Sequence, residues 1–138
     1  MSWVTGGQGG CMHRSRIGVV LIDHPRDRFE SAARFWSAAR GSERHADGND
    51  PVYDSLDRLP GGVLLELQRT GEGTPPRVHL DIETDDVEAE VERLTRHGAI
   101  VVERHSAYAV MQDPGGLVFC VVPVQTGSDF DEHATIWA

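Results

Sequence analysis

Pro60-Gly61-Gly62-Val63-Leu64-Leu65-Glu66-Leu67 and Pro114-Gly115-Gly116-Leu117-Val118-Phe119-Cys120-Val121 are two versions of one phrase, 54 residues apart. Each is a Pro-Gly-Gly turn running into an apolar strand. Ahead of each copy lies an amphipathic helix pattern. Asp27 with Glu30 opens the first and Gly41 stops it; Asp85 with Glu88 opens the second and Gly98 stops it. An acidic residue before a periodic run, with Glu three positions on, satisfies the free N–H groups of a first helical turn. Gly just past the run accepts the left-handed conformation that ends it. Repeated punctuation of this kind predicts two half-domains of one design in tandem, with any site built where they meet.

Working outward, the pattern predicts strands over 16–22, 51–57, 63–69, 77–83, 99–104, 107–112 and 117–123. Helices are predicted over 28–40 and 86–97. Phe29, Ala32, Ala33, Trp36 and Ala39 form the buried stripe of the first, and Val87, Val91 and Leu94 that of the second. Residues 41–50 read as a loop or a weak edge strand. Each half is strand–helix–strand–strand–strand, so the fold class is α+β. Residues 1–14 read as a flexible Gly-rich arm. A single domain spans 15–125, with halves 16–70 and 76–123, and an acidic, loosely specified tail covers 126–138.

Charge narrows the function. The chain of 138 residues carries 13 basic and 22 acidic side chains, a net −9. A nucleic-acid partner needs a basic face, so that class is excluded. No apolar run reaches the roughly 20 residues of a membrane span, and the N-terminus lacks the apolar segment of a secretory signal. Cys11 and Cys120 make no disulfide framework, which fits reduced thiols in a cytoplasmic protein.

Strand alternation sorts the side chains by face. Val78, Leu80 and Ile82 suit the helix side, which sends Arg77, His79, Asp81 and Glu83 to the open face. Leu64, Glu66 and Gln68 share a face opposite Val63, Leu65 and Leu67. The 54-residue offset maps Glu66 onto Cys120, and Val20 is assigned to the open face with Gly18 and Ile22. Glu66 is the sharpest anomaly, because a charge on an apolar strand needs a partner or a function. An ion pair with Arg77 or His79 is the bland alternative. His79 reads either as a hydrogen-bond partner of a carboxylate such as Glu66 or as a ligand contact. Cys120 reads as a small buried hydrophobe.

The stretch Arg77-Val78-His79-Leu80-Asp81-Ile82 before a helix resembles the vicinal oxygen chelate superfamily. So do the stretch Met111-Gln112-Asp113-Pro114-Gly115-Gly116-Leu117-Val118-Phe119-Cys120-Val121-Val122 and the pair Phe35-Trp36. The likeness is to its glyoxalase and bleomycin-resistance-type members. It covers about residues 14–125. The resemblance implies two tandem βαβββ modules forming a curved, open mixed β-barrel with helices outside. It also implies four metal-ligand places, which fall on Val20, Glu66, His79 and Cys120. Val20 cannot ligate, so the expected metal ligands are Glu66 and His79. The expected function is binding of a small organic ligand in the cleft between the halves. Glu66, His79, Arg77, Cys120 and Leu64 are the binding residues, with Glu66 the candidate catalytic group. A divalent-metal-dependent lyase or isomerase is the first alternative and an interaction module without a site the second. No cofactor is required by the first reading, and a divalent metal ion by the lyase reading. A homodimer is expected from the resemblance.

Overall fold

The structure is a computed structural model that describes residues 12–138. Cys11 and most of the expected N-terminal arm lie outside the described residues. His13 and Arg14, assigned to that arm, instead begin the first strand. The elements in order are β1 (His13–Pro25), α1 (Arg26–Arg40), β2 (His45–Ala46), β3 (Tyr53–Leu59) and β4 (Val63–Thr70). Then come β5 (Arg77–Thr84), α2 (Val87–Arg96), β6 (Ile100–Arg104), β7 (Ala109–Gln112) and β8 (Val118–Pro123). The chain ends with α3 (Ser128–His133) and β9 (Thr135–Trp137). The fold is α+β, with an open, mixed arrangement of strands. It divides into two compact units, Val19–Leu80 and the segment ending at Gly18 together with Asp81–Ala138.

In the unit 19–80 the strands run in the order β2-β3-β4-β1. β1 and β4 are parallel, with Val20 opposite Leu65 and Ile22 opposite Leu67. That pairing needs a crossover, and α1 supplies it. The helix closes one face of the sheet. Phe29 and Ala33 pack with Leu56, Leu65 and Leu67, and Val20, Ile22 and Leu59 lie against them. Burying each of the larger side chains contributes about 2 kcal/mol. Val20 therefore points at the helix, not at the open face as the parity reading had it. The register, which sequence alone does not reveal, decides this. Trp36 also departs from expectation. It is 36% exposed and meets the exposed Phe35 edge to face, so the buried stripe of α1 is Phe29 and Ala33.

The caps were legible at one end only. Gly41 ends α1 at φ 70, donating to the carbonyls of Ser37 and Ala38. At its start α1 has Pro25 as N-cap and no side-chain cap; Glu30 is taken by Arg44 instead. In α2 the cap is Asp86, whose carboxylate accepts from the Ala89 N–H, one residue beyond the expected Asp85. Asp85 is bound to Arg14.

In the other unit the order is β5-β8-β7-β6, again with a parallel pair, β5 and β8, spanned by a helix. Ala109, Met111, Phe119 and Val121 are buried on one face of β7 and β8, and α2 lies along β8 with Val91 buried. Val78, assigned to the helix side, is 51% exposed. The tail is not loose. Phe130 of α3 is buried, and β9 pairs antiparallel with the start of β1, His13 opposite Trp137. Glu90, fully buried in α2, anchors this end. It accepts from His13 Nε2, Ser15 Oγ and Arg93, while Trp137 Nε1 donates to Ser15 Oγ and Arg93 lies 3.7 Å from the Trp137 ring centre. These are contacts between residues up to 122 apart in the chain, which local pattern cannot announce.

Candidate functional site

With α1 on one face of the sheet in 19–80, alternation assigns the opposite face. β1 contributes Val19, Leu21 and Asp23, and β4 contributes Leu64, Glu66 and Gln68. β3 adds Ser55 and Tyr53, opposite Glu66 and Gln68 respectively. The ladder arranges these side chains in rows. One row is Val19 and Leu64, purely apolar. The next is Leu21, Glu66 and Ser55. The third is Asp23, Gln68 and Tyr53. Gln68 Nε2 donates to the Tyr53 hydroxyl at 3.3 Å. Arg77, from the first position of β5, donates through Nε to Asp23 Oδ2 at 3.3 Å. Arg77 thus lies on this face, and His79 follows it there by alternation.

Burial separates the members of the third row. Asp23 is 1% exposed, whereas the Arg77 side chain is 50% exposed. A carboxylate taken out of water needs a charged partner, and the guanidinium supplies it. Glu66, Gln68, Tyr53, Ser55, Leu64 and His79 are all partly exposed. Leu64, Glu66, Arg77 and His79 of the expected set thus share one sheet face. Asp23 escaped the sequence reading. Its signal was a carboxylate in phase with Val19 and Leu21 at the end of an apolar strand. Tyr53 reaches this face through the β3–β4 register, which pairs it with Gln68.

Cys120 belongs to the other unit. There it stands opposite Asp81 in the parallel β5–β8 ladder, as Glu66 stands opposite Leu21 in β1–β4. The two ladders make Leu21 the counterpart of Asp81, and Val19 the counterpart of His79. The place assigned to Val20 therefore falls on Val19, which is equally unable to bind a metal. Asp81 and Cys120 are oxygen and sulfur donors on neighbouring strands, and His79 sits two residues back on the same face of β5.

Glu83 was grouped with the open-face residues and has a different place. It is fully buried, accepting from Arg16 Nε (2.7 Å), Thr126 Oγ1 (2.6 Å) and the N–H groups of Gln125 (2.7 Å) and Thr126 (3.0 Å). Burial pushes its carboxyl up, but the hydrogen bonds from Thr126, Arg16 and the Gln125 and Thr126 N–H groups outweigh that. They hold the pKa below the ordinary carboxylate range. Glu90 behaves in the same way, its burial outweighed by Arg93, His13 and Ser15. Both carboxylates are satisfied structural groups.

A glyoxalase-like domain model matches residues 19–122. The chain belongs to the glyoxalase-like domain family. Solved structures share the fold at low identity. A Mn(II)-bound glyoxalase from Novosphingobium aromaticivorans superposes with a TM-score of 0.57 at 16% identity, over 82% of this chain and 40% of that one. A glyoxalase/bleomycin resistance protein/dioxygenase superfamily member from Vibrio splendidus 12B01 gives 0.53 at 18%, over 80% and 99%. A methylmalonyl-CoA epimerase in complex with methylmalonyl-CoA gives 0.52 at 16%, over 80% and 94%. Comparison with curated proteins returned no match. The family places this chain in the vicinal oxygen chelate superfamily that its sequence resembles. No helix among the described residues is long and apolar enough to cross a membrane.

Proposed function

We propose that this glyoxalase-like protein binds a small organic molecule on the sheet face opposite α1. The carrying observation is the row Tyr53–Gln68–Asp23–Arg77 beside Glu66, graded into the apolar Leu64 and Val19. A few converging polar groups on an otherwise apolar surface are the usual composition of a small-molecule site. Glu66 then acts as an acceptor for a hydroxyl or amine of the ligand. The test is a compound library screened by thermal shift, with hits mapped by amide NMR shifts on β3 and β4. Glu66→Gln should weaken a hit by a kcal/mol or more, as loss of a charged acceptor does. If no hit shifts the Leu64, Glu66 and Gln68 amides, the reading fails.

A second reading has an observation of its own: the donors on β5 and its ladder neighbour β8. Carboxylate and thiol donors together suit a borderline divalent ion such as zinc better than a purely oxygen-seeking one. When bound there, such an ion would polarise a substrate oxygen, the chemistry of a metal-dependent lyase or isomerase. Metal analysis of protein purified without a polyhistidine tag, with Cys120→Ser and Asp81→Asn as controls, decides this reading. Less than about a tenth of an equivalent of any divalent metal, unchanged in both variants, removes it.

A further inference from the structure

We infer that the ligand of this face carries a carboxylate, that Arg77 receives it, and that Asp23 is the residue that positions Arg77. The inference rests on the binding reading above and names the class of molecule.

Arg77 opens β5, and its side chain is half exposed. Its Nε–H goes to Asp23 Oδ2, and among the described residues its four remaining N–H donors carry no hydrogen bond. Guanidinium donors are arranged in a flat fork that matches two carboxylate oxygens. Asp23 cannot itself meet a ligand, because it is 1% exposed. Its service is to fix the guanidinium. A buried carboxylate without its cation is strongly disfavoured, so the pair persists before any ligand arrives. An arginine already held in place loses less rotamer freedom on binding than one free in solvent.

The rest of the face matches such a molecule. The Arg77 row is polar, with Gln68 and Tyr53 in line. Two rows away, the partly exposed Leu64 offers apolar contact, with the buried Val19 beside it. Glu66 lies between the two. The molecule that fits is a carboxylic acid with an apolar body, its acid group on Arg77.

The experiment titrates acetate, pyruvate, benzoate and phenylacetate against the full chain, each beside its neutral amide, and follows binding by calorimetry and NMR. At least one acid should bind tenfold or more tighter than its amide, with shifts at Arg77 Nε. Arg77→Gln should erase that preference. Arg77→Lys keeps a cation over Asp23 and so keeps the fold, but should retain only part of the preference. Asp23→Asn should lower the acid-to-amide ratio several-fold, a readout that a merely structural role would leave unmoved. Equal binding of acids and amides overturns the inference while leaving the face as a binding site. A preference that survives Arg77→Gln overturns it as well. Failure of all four acids also overturns it, and neutral hits from the compound library then decide independently whether the face binds anything.

Discussion

Gly18→Ala should be one of the most damaging methyl additions in this chain. A Cβ built on Gly18 would lie 2.4 Å from both Cδ and Oε2 of Glu83 and 2.5 Å from its Cγ. Ordinary contact between such atoms is about 3.5–4 Å, so the carboxyl must retreat by about 1 Å. It has nowhere cheap to go, because it is fully buried and holds four hydrogen bonds of 2.6–3.0 Å. Losing two bonds to a charged group costs about 1.5–3 kcal/mol each. Alanine returns about 0.4–1 kcal/mol by restricting the unfolded chain. The net is a loss of about 3 kcal/mol. At this length each kcal/mol moves the thermal midpoint by about 3.5 °C, so the midpoint should fall by about 10 °C. Thermal unfolding followed by circular dichroism measures it, alone and in a Glu83→Ala background. There the same methyl should cost less than about 1 kcal/mol, since the obstructing carboxyl is gone. A drop below about 3 °C in the otherwise native chain would refute the reasoning, and so would equal costs in both backgrounds.

Further outcomes follow from the caps, the tail and the buried acids. Asp86→Ala should cost about 1 kcal/mol by removing the α2 cap, whereas Asp27→Ala should cost next to nothing, since α1 has no side-chain cap; paired urea midpoints check both. Trp137→Phe removes the donor to Ser15 Oγ and should cost about 1–2 kcal/mol, with hydrogen exchange quickening first in α3 and β9. Glu83 and Glu90 both have lowered pKa values in the folded state, so their contribution is complete above the ordinary value of 4.5 and is lost as pH falls through the folded values. Urea midpoints should therefore hold from pH 7 to about 5 and then decline, with a shallower decline in Glu83→Gln.

How far sequence carried the reading depends on how local each signal was. Gly61, Gly62 and Gly116 all take positive φ at the repeated turns, and that conformational demand is written in the residues themselves. The parallel pairs β1–β4 and β5–β8 were likewise implied by two strand–helix–strand units. Val20 was assigned to the wrong face because alternation gives two sets but not which set meets the helix; only the register with Leu65 and the packing on Phe29 settle that. The face holding Leu64, Glu66, Arg77 and His79 was legible because β4 alternates cleanly. Asp23 was not, since its meaning depends on Arg77, 54 residues later. Glu83 looked like a site residue by parity. The loop at 125–126 that wraps it lies beyond the strand and carries no sequence motif.

The meeting of β9 with the start of β1 has a topological corollary. His13 and Trp137 are ladder partners, so the two ends of the described chain arrive at one place. A linker of a few residues can join them, and the exposed Gly71–Gly73 turn can be opened to supply new termini. In such a circular permutant β5 would lead the chain and β4 would close it, and the β1–β9 pairing would pass from the two ends of the described chain to its middle. The fold would then be assembled in a different order from the same contacts, which makes the permutant a direct probe of whether the C-terminal clasp is needed to reach the native state or only to keep it.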